Sequence, residues 1–149
     1  FSLVGVLVAV VVLSIGLLGL AALQVSGLRV GQSSFYRAQA AQLATDMADR
    51  LRANAGEART CELALGDATP SSPTTTCERD LAEWRNRLRS LPGGNGAVDV
   101  DPVANMVTVT VQWDDSRGGG ADDEAFELVT RLWGNCWRRR RTFAARRAA

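Results

Sequence analysis

The chain has 149 residues, the size of one domain, and its 17 basic and 16 acidic side chains leave a formal net charge of +1. It contains no His, which excludes a Ser-His-Asp triad and any metal site that uses imidazole. No nucleophile motif or acid–base pair stands out either, so we expect no enzymatic activity, no cofactor and no metal. The charges are partitioned: residues 1–28 carry none, residues 29–137 carry 11 Arg against 16 acids, and residues 138–149 carry six Arg.

The first segment, residues 1–28, is apolar apart from three Ser and one Gln. As a helix it would span ~42 Å at ~1.5 Å per residue, more than the ~30 Å core of a bilayer. It is too long for the apolar stretch of a secretory signal peptide. The pattern therefore predicts a membrane-spanning helix.

Glycines recur along this predicted helix. Each would weaken a helix in water by ~1 kcal/mol, whereas in a membrane or a helix bundle glycine lets two backbones approach closely. Ordinary transmembrane glycine content is the simpler interpretation. The sharper one is a helix that packs against other helices, through Gly5, Ser14, Gly16 and Gly19.

Residues 29–54 continue the helix but change its character. Apolar side chains recur at spacings of 4, 3, 4 and 4, which places them on one helical face. We expect this face to pack on a globular body further along the chain, and the helix to end at Asn54–Gly56. The stripe consists of Tyr36, Ala40, Leu43, Met47 and Leu51.

The predicted body occupies residues 55–133. A loop over residues 55–75 precedes a short helix, Cys77–Leu91, for which Thr76 is the expected cap. The period then changes to the alternation typical of strands. Three strands, Ala97–Asp101, Asn105–Trp113 and Glu124–Trp133, predict an antiparallel meander covered by the helical stripe.

Two features of this body need a choice between interpretations. Trp84 and Trp113 are expected in the core, while Trp133 and Trp137 are expected at an edge or exposed.

The loop Asp114–Asp123 holds four Asp around three Gly. Carboxylates in such a loop are typical calcium ligands, but the EF-hand spacing is missing, so a solvated acidic loop is favoured.

The chain resembles type IV pilins, and more narrowly the minor pilins of the PilV type. The processed-type start FSL and the apolar helix are shared by pilins and type II secretion pseudopilins. The minor pilin is favoured by segments between residues 41 and 115, and the whole resemblance covers residues 1–133. The segments that carry it are VLVAVVVLSIGLLGLAALQ, AQLATDMADRLRAN, WRNRLRSLPGG and VTVTVQWDD.

The resemblance implies an α+β, pilin-like fold and a role in pilus assembly in a Gram-negative bacterium. A prepilin peptidase would cut before Phe1 and methylate its amine. The subunit would wait in the inner membrane with a periplasmic body, then enter an extracellular pilus. Its partners would be other minor pilins and the major pilin, and its place would be at or near the tip. A type II secretion pseudopilin is the alternative within the superfamily.

Gly5 departs from the family pattern, which has Glu at the fifth mature position. In the family that carboxylate pairs with the terminal amine of a neighbouring subunit, and a buried unpaired charge costs several kcal/mol. Two interpretations stay open. The subunit has no neighbour ahead of it, as suits a tip position, or the change impairs its incorporation.

A periplasmic body also bears on the three cysteines, because that compartment is oxidising. A bridge between Cys61 and Cys77 is expected, and pairing of Cys136 with either of them is the rival. The tail, residues 134–149, lies past the resemblance and is expected to be disordered. A solvated tail is favoured over a site for DNA or another polyanion; the residues of such a site would be Arg138, Arg139, Arg140 and Arg141.

Overall fold

In the computed structural model, residues 2–69 and 71–132 are described. The expectations for Phe1, Trp133, Cys136, Trp137 and the Arg-rich tail lie outside these residues. The described chain has a long helix, α1 (Leu3–Ala53), a 3₁₀ turn (Ala58–Thr60), a second helix, α2 (Thr76–Leu88), and three strands. The strands are β1 (Asn95–Asp101), β2 (Met106–Trp113) and β3 (Glu124–Arg131). The predicted α+β layout is confirmed.

Helix α1 runs without interruption for 51 residues, ~77 Å at ~1.5 Å per residue. The predicted stripe forms its contact with the body, with Tyr36 and Leu43 packed at the margin of the core. Small side chains on this face let the helix lie close to the sheet. The buried residues of the helix are Ala40, Ala44, Met47, Ala48 and Leu51.

Helix α2 begins and ends earlier than predicted. Its cap is Thr75, not Thr76: the Thr75 hydroxyl accepts a hydrogen bond from the Glu78 N–H, and the Glu78 carboxylate accepts from the Thr75 N–H. This reciprocal pair is a capping box. The helix stops at Leu88 because the chain tightens into a turn, in which the Leu91 N–H bonds to the Leu88 carbonyl.

The three strands form one antiparallel sheet in the order β1-β2-β3. The register places Val98 opposite Val109 and Val109 opposite Leu128. Alternate residues of β2 point to the core, as the sequence predicts. They are Val107, Val109, Val111 and Trp113.

The core lies between this sheet and the two helices. Trp84 and Trp113 are both fully buried, as expected. Strand β1 begins at Asn95, two residues before its predicted start, and β3 ends at Arg131, where the next N–H, of Leu132, bonds to the Asn105 carbonyl. One face of the sheet and one half of α1 thus form a two-layer body.

Candidate membrane-spanning and assembly site

The first half of α1 is not covered by any other part of the described chain. Seventeen Val, Leu and Ile side chains between Leu3 and Val30 are each more than half exposed. The most apolar 18 residues of the helix have a mean hydropathy of 2.9 and none of them is buried. Soluble proteins rarely expose a continuous apolar surface of this extent. The helix is long and apolar enough to cross a membrane.

The glycines of this segment have no packing role within the described chain. A Cβ atom added at Gly5, Gly16 or Gly19 would meet nothing within 4 Å. At 3.6 residues per turn these three and Gly27 fall within an arc of about 80°. The surface that they share is therefore open to a neighbouring helix.

Ser14 lies on the opposite side of the helix from this glycine arc. Its hydroxyl donates to the Val10 carbonyl at 2.7 Å, a bond that satisfies the polar group inside its own helix. The structure therefore does not bring Ser14 together with Gly5, Gly16 and Gly19, with which the sequence grouped it.

The acidic loop between β2 and β3 is anchored to α1 just beyond the apolar segment. The Ser33 hydroxyl donates to Oδ2 of Asp115 at 2.5 Å, and the side chain of Asp115 is buried. The expectation of a wholly solvated acidic loop is wrong for this residue. Its burial follows from the close turn around it, in which the N–H groups of Gly118 and Gly120 both bond to the Asp115 carbonyl.

The neighbouring Asp114 remains at the surface. Hydrogen bonds from the hydroxyl and N–H of Ser116 lower the pKa of its carboxyl group. Among residues 2–69 and 71–132, no group of three or more His, Cys, Asp or Glu side chains could hold a metal ion.

Charged side chains join α1 to the rest of the body. Arg37 pairs with Glu124 at the start of β3. Arg50 contacts Asp46 on its own helix, and Asp80 and Glu83 on α2, at 3.0–3.1 Å. The Arg50 hydrogen bond, the Arg50 charge and a further bond from Arg87 lower the pKa of Glu83 to about 2.

A disulfide joins Cys61 to Cys77, with their Cα atoms 5.8 Å apart. It fastens the loop that follows α1 to the first turn of α2. Cys136 and the four consecutive Arg residues of the tail lie outside the described residues, as does Phe1, for which a processing site is predicted.

Two contacts of the site were not foreseen from the sequence. Ser33 and Asp115 are 82 residues apart, and nothing in the spacing of either segment pairs them. The Gly-Gly-Gly run after Asp115 was the available signal, because glycines beside a carboxylate permit a close turn around it. The second contact that the sequence did not predict is the hydrogen bond from the Trp84 indole N–H to the Leu43 carbonyl of α1.

Compared with known proteins, the chain matches no family model, no curated protein and no solved structure. Its function is therefore inferred from its own residues.

Proposed function

We propose that this chain is a minor pilin that primes or modifies assembly of a type IV pilus, at or near the tip. The observation that carries the proposal is the division of α1. One half exposes every large aliphatic side chain, and the other half packs its predicted stripe into a small α+β body. A subunit built in this way can be held by a membrane and can also be joined to other helices.

The proposed mechanism is transfer of the apolar half from lipid to a bundle of helices. Lipid tails are as apolar as Leu, so the transfer must be favoured by close packing and not by loss of water. The glycine arc of Gly5, Gly16, Gly19 and Gly27 supplies a surface for such packing, because it admits a neighbouring backbone. The body stays on the periplasmic side before assembly, where its disulfide is expected to persist.

Within this proposal, the partners are other minor pilins and the major pilin, after a prepilin peptidase has processed the chain before Phe1. Gly5 suits a subunit that has no other subunit ahead of it in the pilus, because glycine has no carboxylate to pair with the terminal amine of a neighbour. The inner membrane is the first location and the extracellular pilus the second.

Gene deletion with complementation tests the role in assembly. Cells that lack the protein should have fewer pili and reduced twitching motility, and the natural chain should restore both. Leu17→Arg places a charge in the apolar half, where it costs a few kcal/mol in a bilayer, and should fail to restore them. Thr108→Arg, on the outer face of the sheet, is the matched control and should restore them. Undiminished pilus number in the deletion strain would contradict the proposal.

The tip position has its own test. Quantification of subunits in sheared pili should find this chain in far fewer copies than the major subunit. Stoichiometric amounts along the shaft would exclude the tip. Gly5→Glu should then be introduced: at a tip it is expected to leave pilus number unchanged, whereas a gain in incorporation would indicate that Gly5 impairs assembly.

The same apolar helix is compatible with a type II secretion pseudopilin. The two roles differ in what deletion removes: pili and motility in one case, export of a secreted enzyme in the other. Normal piliation together with lost export would favour the pseudopilin.

A further inference from the structure

The side of α1 that faces away from the body stays uncharged well beyond the apolar segment. Before Asp46, the only charged residues of the helix are Arg29 and Arg37. At ~100° per residue, both lie within ~40° of the centre of the face that packs on the body. The opposite side therefore presents no charge to its surroundings for ~25 Å beyond Arg29.

Phe35 extends the apolar surface along this uncharged side. It lies two helical turns after Leu28, and the two side chains are within ~20° of each other around the axis. Leu28 is 74% exposed and Phe35 is 62% exposed. Phe35 lies ~160° from the centre of the buried face. Its ring meets that of Tyr36 edge-on, with the ring centres 6.1 Å apart, and Tyr36 packs on the core.

Two polar side chains of the same helical turn are satisfied within the helix. The Ser34 hydroxyl donates to the Val30 carbonyl at 3.0 Å. The Gln32 amide donates to the Tyr36 hydroxyl at 2.9 Å. Such bonds lower the cost of removing a polar group from water. The helix just beyond Arg29 can therefore enter a partly dehydrated layer.

The apolar segment is also longer than the hydrocarbon core that it would cross. Residues 3–28 span ~39 Å, whereas the core is ~30 Å thick. A helix with such a surplus accommodates it by tilting, and a tilt of ~40° reduces the vertical span to ~30 Å. Length alone gives no direction of tilt, so the direction depends on what surrounds the helix just outside the core.

The two sides of α1 are unequal at that level. The acidic loop, with the exposed side chains of Asp122 and Asp123, is fastened to the body side of the helix by the hydrogen bond from Ser33 to Asp115. A bilayer surface that contains anionic lipids is negative and repels carboxylates, but it accepts an apolar ring. A tilt toward Phe35 therefore moves the loop away from the surface and brings the ring to it.

The height of Phe35 above the hydrocarbon core depends on this tilt. With Leu28 at the edge of the core, the helix axis at Phe35 lies ~10 Å higher in an upright helix, outside a headgroup layer of ~5–8 Å. At ~40° toward Phe35, the axis falls to ~8 Å, and the side chain extends a further ~3–4 Å downward. The ring then lies inside the headgroup layer.

We propose that α1 crosses the membrane at a tilt toward Phe35, and that Phe35 contacts the lipid surface from within the headgroup layer on the side of the body. The body then lies above the tilted helix, with the acidic loop away from the lipids. This inference rests on the membrane insertion proposed above, and not on assembly into a pilus. The glycine arc lies ~120° from Phe35 around the axis, so it remains free for another helix.

Two adjacent residues on different sides of α1 report the tilt. Val30 lies ~140° from Phe35 around the axis and Gly31 lies ~40° from it. Val30 is 63% exposed, and a Cβ atom at Gly31 would meet nothing within 4 Å, so both positions accept a label. In an upright helix, Val30 lies ~1.5 Å deeper than Gly31. At ~40° toward Phe35 the order is reversed, and Gly31 lies ~4 Å deeper.

Spin labels measure this difference. Val30→Cys and Gly31→Cys, each in the full chain with Cys136→Ala, have a single reactive thiol, because Cys61 and Cys77 are joined. Each chain is labelled and reconstituted in vesicles of phosphatidylethanolamine with a smaller fraction of phosphatidylglycerol. The collision rates of the label with oxygen, which dissolves in lipid, and with a water-soluble nickel complex give its depth. The label at residue 31 should be the deeper one by ~4 Å.

A further substitution assigns the tilt to the aromatic contact. Phe35→Gln changes an exposed side chain and keeps a good helix former, so the chain should fold, and the depth difference should fall by at least half. Val103→Gln is the matched control. It also replaces an exposed apolar side chain, at the opposite end of β2 from the acidic loop, and should leave the depth difference unchanged.

The outcomes separate the two proposals. A deeper label at residue 30, or a reversed order that Phe35→Gln leaves at full size, would overturn the lipid contact and leave membrane insertion standing. A label at residue 31 that is shielded from both oxygen and the nickel complex would also overturn it, because another helix would then cover this side. Labels that both remain in water would overturn the contact and the insertion together.

Discussion

The Trp84 indole nitrogen donates a hydrogen bond to the Leu43 carbonyl of α1, at 2.9 Å and across 41 residues of sequence. This bond joins the two helices at the centre of the core, where Trp84 is fully buried. The Leu43 carbonyl lies in the α1 backbone ladder, so the indole approaches the helix backbone itself and fixes how α2 sits against α1.

Replacement of Trp84 by Phe should remove this bond and some packing, and destabilise the body by about 2 kcal/mol. Trp113→Phe is the matched control, because the buried Trp113 indole N–H has no partner among the described residues. It should cost about 1 kcal/mol less, since it removes an unsatisfied donor. Thermal unfolding in detergent, followed by circular dichroism, measures both. An equal or reversed order would show that the bond contributes nothing.

Gly96 packs closely against the indole ring of Trp84. A Cβ atom at this position would lie 2.5 Å from Cη2 of Trp84 and 2.7 Å from Cδ1 of Leu88. Gly96→Ala should therefore destabilise the body by about 1–3 kcal/mol through overpacking. Gly56→Ala, where the added Cβ meets nothing within 4 Å, is the control and should leave the unfolding temperature unchanged.

The same glycine gives a test of coupling. In the double variant with Trp84→Phe, the cost of Gly96→Ala should fall, because the smaller ring leaves room for the methyl group. Strictly additive costs would indicate that the ring and the glycine do not constrain each other.

Removal of the disulfide should destabilise the body by ~3 kcal/mol, the chain-entropy expectation for a loop of this length. The loop closed by Cys61 and Cys77 has a sequence separation of 16. A chain with both residues changed to Ala should have the same lowered unfolding temperature with or without reductant. The unfolding temperature of the natural chain should fall to that value only when the disulfide is reduced.

Cys136→Ala supplies the control for this pairing, since it removes the rival thiol. It should change neither the unfolding temperature nor the two-hydrogen mass difference on reduction. A cross-linked peptide that contains Cys136, in place of one that joins Cys61 to Cys77, would contradict the observed bridge.

What the sequence predicts well here is local. The spacing of the stripe from Tyr36 to Leu51 and the alternation along β2 are properties of neighbouring residues, and both survive in the fold because burial of one face requires them. The start of α2 was missed by one residue although its signal was present. Thr75 and Glu78 have the capping-box spacing, whereas Thr76 has Arg79 three residues later.

What the sequence does not predict depends on contacts between distant segments. Asp115 is one of four Asp in a loop that local composition marks as solvated, and only its contact with Ser33 distinguishes it. The same holds for Gly96, which resembles the flexible turn before it until the position of Trp84 is known. Such residues are defined by the tertiary packing and not by periodicity.

The cluster around Arg50 makes a pH-dependent contribution to stability. Glu83 has a pKa of about 2 in the folded chain, against an ordinary value of 4.5, chiefly because Arg50 donates hydrogen bonds to it. A group with a lowered folded pKa stabilises the folded state fully above its unfolded pKa, and the contribution is lost as the pH falls through the folded pKa.

Glu83→Gln should therefore lower the unfolding temperature at pH 7, and the difference from the natural chain should shrink between pH 4.5 and pH 2, where protonation makes the natural side chain neutral as well. Arg50, the main donor to Glu83, stays charged over this range, so the change belongs to the carboxylate. Glu127→Gln, on the outward face of β3, is the control and should show no such convergence. Unfolding temperatures measured at intervals from pH 7 to pH 2 test this directly. A constant difference in unfolding temperature between Glu83→Gln and the natural chain at every pH would mean that Glu83 stabilises the fold through its packing and not through its charge.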